Sequence, residues 1–97
     1  SVQGGEELTY ELTIQYTRSG ALVEADILKA QEEYKSWQDN HLGRPFNPDR
    51  LVAAIYQAGA TRAVISEDST FDDGEAVYTE IEETQYCRGT ITLEDIE

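Results

Sequence analysis

Ninety-seven residues are enough for one compact domain and too few for two lobes with an active site enclosed between them. Hydrophobic residues make up 39% and charged residues 28%, which is globular rather than disordered, and no apolar run approaches the roughly 18 residues needed to cross a bilayer. Twenty acidic residues against seven basic ones give a formal charge of −13, so nucleic-acid phosphates and anionic membrane surfaces are poor partners, whereas a basic protein surface is a good one.

The charge is unevenly spread, because the segment from Glu67 to Glu97 carries eleven acids against Arg88 alone. No basic-then-apolar leader opens the chain. It begins at Ser1 and has no methionine, so it is expected to be a fragment of a longer protein. The single cysteine, Cys87, cannot form an internal disulfide and implies no oxidising compartment.

In chain order, residues 1–7 (SVQGGEE) have the composition of a linker or frayed end, and residues 8–97 are expected to form a single domain. From Leu8 to Tyr16 the sequence alternates: Leu8, Tyr10, Leu12, Ile14 and Tyr16 share one face, Thr9, Glu11, Thr13 and Gln15 the other. This predicts a half-buried strand. Arg18-Ser19-Gly20 breaks it. From about Leu22 the apolar spacing becomes helical through Val23, Ile27, Ala30, Tyr34 and Trp37, with Gly43 suited to a left-handed helix stop and Pro45 opposing continuation. A second helix begins with Asn47 as N-cap, Pro48 in the first helical position and Asp49 complementing the dipole. Leu51, Ile55 and Ala58 form its buried stripe, and Gly59 closes it.

Thr61–Ser66 reads as a strand, Glu67–Glu75 as an acidic loop, Val77–Ile81 as a short strand and Arg88–Glu94 as another alternating strand. The order β-α-α-β-β predicts a two-layer α+β fold, with a small, mainly antiparallel sheet carrying both helices on one face.

The search for chemistry leaves no catalytic, cofactor or metal site. An EF-hand loop with Gly74 at position 6 puts Glu80 suitably at position 12, but it places Phe71, which has no side-chain oxygen, at position 3 and only the uncharged hydroxyl of Ser69 at position 1. A looser cation site among Asp68, Asp72, Asp73 and Glu75 competes with a plain solvated loop. His41, the only histidine, sits at a helix end, where an imidazolium complements the dipole. Cys87 shares parity with Gly89, Ile91 and Leu93 and so faces the core, whereas a reactive thiol needs exposure and positive neighbours. Tyr34 and Trp37 lie on the helical stripe and are expected to pack in the core rather than anchor an interface. The chain is therefore expected not to be an enzyme.

An ordered series of residues carries a resemblance. Tyr34-Lys35-Ser36-Trp37-Gln38 is followed by Leu42-Gly43-Arg44-Pro45-Phe46-Asn47-Pro48, Leu51, and Ala58-Gly59-Ala60-Thr61-Arg62-Ala63-Val64. It resembles the baseplate J-like family of phage contractile-tail proteins. Members tend to carry a tyrosine and a Trp-Gln pair on a helix, a Gly-Arg-Asp-Ile-Asn-Pro-like turn, and a second helix ending in Ala-Gly-Ala. Pro45-Phe46 departs from the Asp-Ile of that pattern. The resemblance implies the C-terminal region of a longer structural, cofactor-free component of a tail baseplate, found in the virion and in the bacterial cytoplasm during assembly. It implies other baseplate or tail proteins as partners. Glu67, Asp68, Asp72, Asp73, Glu75, Glu80, Glu82 and Glu83 are then the candidate docking surface for a basic neighbour. The alternative is a small acidic binding or inhibitor protein of the DNA-mimic type.

Overall fold

The computed structural model describes residues 5–18, 20 and 24–96. The expected linker residues Ser1–Gly4 and the expected helix-start residues Leu22 and Val23 lie outside them. The elements are β1 (Glu6–Arg18), α1 (Glu24–Gln38), α2 (Pro48–Gln57), β2 (Ala60–Ile65), β3 (Thr70–Phe71), β4 (Gly74–Glu75) and β5 (Gln85–Asp95). Glu6 and Glu7 belong to β1, so the strand begins two residues before the apolar alternation and takes in the end of the expected linker.

The alternation in β1 has its expected consequence. Leu8, Tyr10, Leu12, Ile14 and Tyr16 are all buried, each contributing about 1.5–3 kcal/mol of apolar burial. β1 is also the central strand. β5 runs parallel to it along one edge from Glu6↔Gln85 to Tyr16↔Asp95. β2 and then β3 run antiparallel along its other edge, and β4 pairs with β3 outside them. The fold is thus the expected small α+β type: three of the four strand pairings are antiparallel, and the longest is parallel.

Between β2 and β3 the chain leaves the ladder at residues 66–69, and a side chain closes the gap. Thr13 N donates to Ser69 Oγ at 2.9 Å, and Ser69 Oγ lies 3.2 Å from Thr13 O. The hydroxyl thus takes up the Thr13 N–H that a continuous strand would have paired, while the Thr13 carbonyl also accepts from Ser66 N at 2.8 Å. Within the expected acidic loop, Thr70–Phe71 and Gly74–Glu75 form a small hairpin. Its two turn residues, Asp72 and Asp73, have φ of 49° and 66°, the left-handed pair that matches strand twist.

Both helices lie on the apolar face. α2 covers β1 and β2, while α1 packs on α2 and reaches β5. Ile27, Ala30, Tyr34 and Gln38 form the buried stripe of α1, and Leu51 and Ile55 that of α2. Trp37 is half-buried, at the edge of the core rather than inside it. Phe46, fully buried in the interhelical connection, stacks on Phe71 with centroids 4.3 Å apart and contacts Tyr10 at 5.3 Å.

Three expectations need correction. α1 stops at Gln38, and the left-handed residue just beyond it is Asn40 (φ 63°); Gly43 (φ 75°) lies further along the connection. The cause is β5: Asn40 N donates to Cys87 O at 3.0 Å and Gly43 N to Gln85 O at 2.8 Å, so the chain leaves the helix to cover that strand. Asn47 occupies the N-cap position, but its side chain makes no capping bond. Its backbone N–H instead donates to Gln38 Oε1 at 2.8 Å. Pro48 does begin α2, and Gly59, at φ 116°, follows its C-cap, Ala58.

The expected strand at Val77–Ile81 is a single bridge. Thr79 exchanges both main-chain bonds with Phe46, at 2.9 and 3.0 Å. The next antiparallel rung would fall on Pro48, which has no N–H and already belongs to a helix.

Candidate functional site

All eight carboxylates expected to form a docking surface are exposed. The fold sorts them into groups. Asp72 and Asp73, at the hairpin tip, line a shallow depression together with Glu7 and Glu11 on the solvent face of β1. Glu67 and Glu75 line a second depression beside Val77. Asp68, Glu80, Glu82 and Glu83 line neither. Glu7 and Glu11 were missed as members of this surface. Parity in the strand marked Glu11 as outward-facing and Glu7 was read as linker, but nothing local indicated that the Asp72-Asp73 turn would be folded back beside them.

An apolar element also stands within the acidic region. Val77 is 52% exposed and Tyr78 50% exposed, between Glu75 and Glu80. An exposed aliphatic–aromatic pair with a carboxylate rim has the make-up of a protein-docking patch, in which the rim steers and the centre buries. Among the described residues, no three His, Cys, Asp or Glu side chains converge in a way that could hold a metal ion.

The polar residues of the interior are occupied with one another. Gln38, fully buried, accepts from Tyr34 Oη at 2.9 Å and from Asn47 N at 2.8 Å, and its Nε2 donates to Pro45 O at 2.9 Å. This one side chain fastens the end of α1 to the start of α2. Beside it, Tyr10 Oη donates to Asp39 Oδ1 at 2.6 Å, while Lys35 bridges Asp39 and the Gly89 carbonyl. Burial, reinforced by the bond to Asp39, pushes the Tyr10 hydroxyl far above the usual tyrosine range, and burial does the same to Tyr34. A Tyr–Asp–Lys constellation can carry acid–base chemistry when a substrate reaches it. Here Tyr10 has no exposed surface.

Cys87 is fully buried, and burial raises its thiol to about 11, the behaviour of a packing residue rather than a nucleophile. His41 is exposed, with Nε2 3.1 Å from the Ser36 carbonyl in the last turn of α1. Trp37 is flanked by the guanidinium groups of Arg44 and Arg50, 4.7 and 4.3 Å from its ring centroid, and Arg44 Nη1 also donates to the Trp37 carbonyl.

No known protein-family model matches the chain, and no curated protein is significantly similar to it. No described helix is long and apolar enough to cross a membrane.

Proposed function

We propose that this chain is a structural module of a phage or phage-like contractile-tail baseplate, acting in assembly through protein–protein contacts rather than through catalysis. The observation that carries the reading is the ordered series from Tyr34 to Val64, with its Tyr, Trp-Gln, Gly-Arg, Asn-Pro and Ala-Gly-Ala elements in family order. In keeping with a resemblance of fold, the residues of that series serve the architecture. Gln38 ties α1 to α2, Pro48 starts α2, Gly59 follows its end, and Arg44 packs on Trp37. The departure at Phe46 is absorbed by Phe71, which stacks on it.

Docking runs through the exposed acidic surface around Val77 and Tyr78, onto a basic neighbour in the tail. Mass spectrometry of sedimented tail-like particles from induced source cells tests this. Peptides of this chain in fixed ratio to sheath and tube proteins are expected; their absence from intact particles overturns the assignment. Binding to the neighbour weakens with salt, and affinity constant from low to high salt overturns the acidic docking mode.

A second reading is a small acidic binding or inhibitor protein that docks on a basic partner. The clustering of Glu7 and Glu11 with Asp72 and Asp73 on one sheet face favours it. In that case the protein is found away from particles, on a non-tail partner.

A further inference from the structure

Among the described residues β5 is the outermost strand on its side of the sheet, and only its first half is covered. Gln85, Cys87 and Gly89 point their carbonyls away from β1, where they accept from Gly43 N, Asn40 N and Lys35 Nζ. Main-chain groups alternate in direction along a strand, so the next residues whose N–H and C=O both point outward are Ile91 and Leu93. Among the described residues, neither has a main-chain partner on that side. An uncovered strand edge is a template for another strand.

We propose that this edge pairs antiparallel with the same edge of a second copy of the chain, about a twofold axis at Ile91. In that register Ile91 faces Ile91 of the second copy, Gly89 faces Leu93, Thr90 faces Thr92, and Arg88 faces Glu94, each in both directions. Four observations select it. Arg88 is the only base between Glu67 and Glu97, is exposed, and has no ion pair among the described residues. Glu94 is exposed on the same solvent face, with only a 3.3 Å bond from Gln15. Cross-strand opposite charges and threonine pairs are the favoured neighbours of such a ladder.

The half-buried Ile91 and Leu93, on the helix face, would gain cover from their counterparts. Finally, the Asn40–Gly43 segment caps Gln85 and Cys87, so Gly89 is the last residue at which a new strand can pair, and its carbonyl retains a lone pair beside Lys35. An axis at Leu93 sets Thr92 against Glu94 and so takes Glu94 away from Arg88. An axis at Thr90 drives Leu93 of one copy onto the covered Cys87 of the other. The axis at Ile91 puts both helix layers on one side of a continuous sheet.

Sedimentation equilibrium from micromolar to millimolar concentration, at an ionic strength that screens the two −13 charges, tests the proposal. A monomer–dimer equilibrium is expected. Arg88→Glu weakens it by about tenfold or more, because two attractive pairs become repulsive, and the double variant Arg88→Glu/Glu94→Arg restores it. Ile91→Pro removes an outward N–H without touching the β1 ladder and leaves a folded monomer by circular dichroism. A wild-type protein that stays monomeric throughout overturns the proposal, as does a dimer indifferent to both charge variants. The charge-exchange result stands even if the proline variant does not fold.

Discussion

The backbone of Gly89 passes so close to Tyr10 that a β-carbon there would lie 2.0 Å from the Tyr10 carbonyl oxygen and 2.6 Å from its ring. The two residues are in direct register across the parallel ladder, and Tyr10 is fully buried, so neither can move aside cheaply. Gly89→Ala is expected to cost about 3 kcal/mol or more, since the obstructing atom is main chain and the strand itself must shift. Urea denaturation measures it; a loss under about 1 kcal/mol would show that β5 can slide.

Gln38 is the interior group with most at stake. Gln38→Leu keeps similar bulk but leaves Tyr34 Oη, Asn47 N and Pro45 O without their partner, and a cost of about 3 kcal/mol is expected. Tyr34→Phe removes one of those bonds and should cost about 1 kcal/mol. Equal losses in the two variants would mean that water replaces the amide.

Alkaline pH should weaken the fold in two stages. Cys87, Tyr10 and Tyr34 all hold their protons more tightly when folded, so below the unfolded-state values their contribution is complete and does not vary with pH. Above pH 9.0 the unfolded chain releases the Cys87 proton while the folded chain keeps it to about 11. From pH 10.0 the tyrosines add a steeper loss of the same sign. Stability is therefore expected to fall from about pH 9 upward. Cys87→Ala should delay the onset to about pH 10, whatever its effect at neutrality. Denaturation midpoints taken across this range decide it, and an unchanged onset in the variant would rule out the thiol as the first group.

Trp37 is the only tryptophan, so its fluorescence reports on the arginines beside it. Arg50→Ala should shift emission to the red and cost about 0.5–1 kcal/mol, because the guanidinium covers a ring face that water would otherwise reach. Emission identical to wild type would mean that Arg50 leaves the ring in solution.

What was legible in the sequence is what periodicity encodes. β1 alternates over nine residues and its buried face is as read; the α1 and α2 stripes likewise name Ile27, Tyr34, Leu51 and Ile55. Gln38 was also within reach, four residues after Tyr34 on the same stripe, where a polar residue signals a buried partner set. Pairing was not legible. An alternating strand carries the same pattern whether its neighbour runs parallel or antiparallel, so the β1–β5 ladder left no local mark. Val77–Ile81 has strand-like composition, but its partner is bounded by Pro48, a constraint visible only once Thr79 meets Phe46. Half of the carboxylate cluster on the sheet face was hidden for the same reason: Glu7 and Glu11 lie far from Asp72 and Asp73 in sequence.

The parallel ladder has a consequence for how this domain is made. Every rung between β1 and β5 joins residues 79 positions apart, so the first strand synthesised waits for the last before its longest edge is satisfied. Until then, a nascent chain holds β1 with one side open, and only the short antiparallel contacts of β2 and β3 can engage it. The sheet therefore cannot close until β5 has emerged from the ribosome, and premature termination anywhere before residue 85 would release a polypeptide whose central strand has an unpaired edge ready for aggregation.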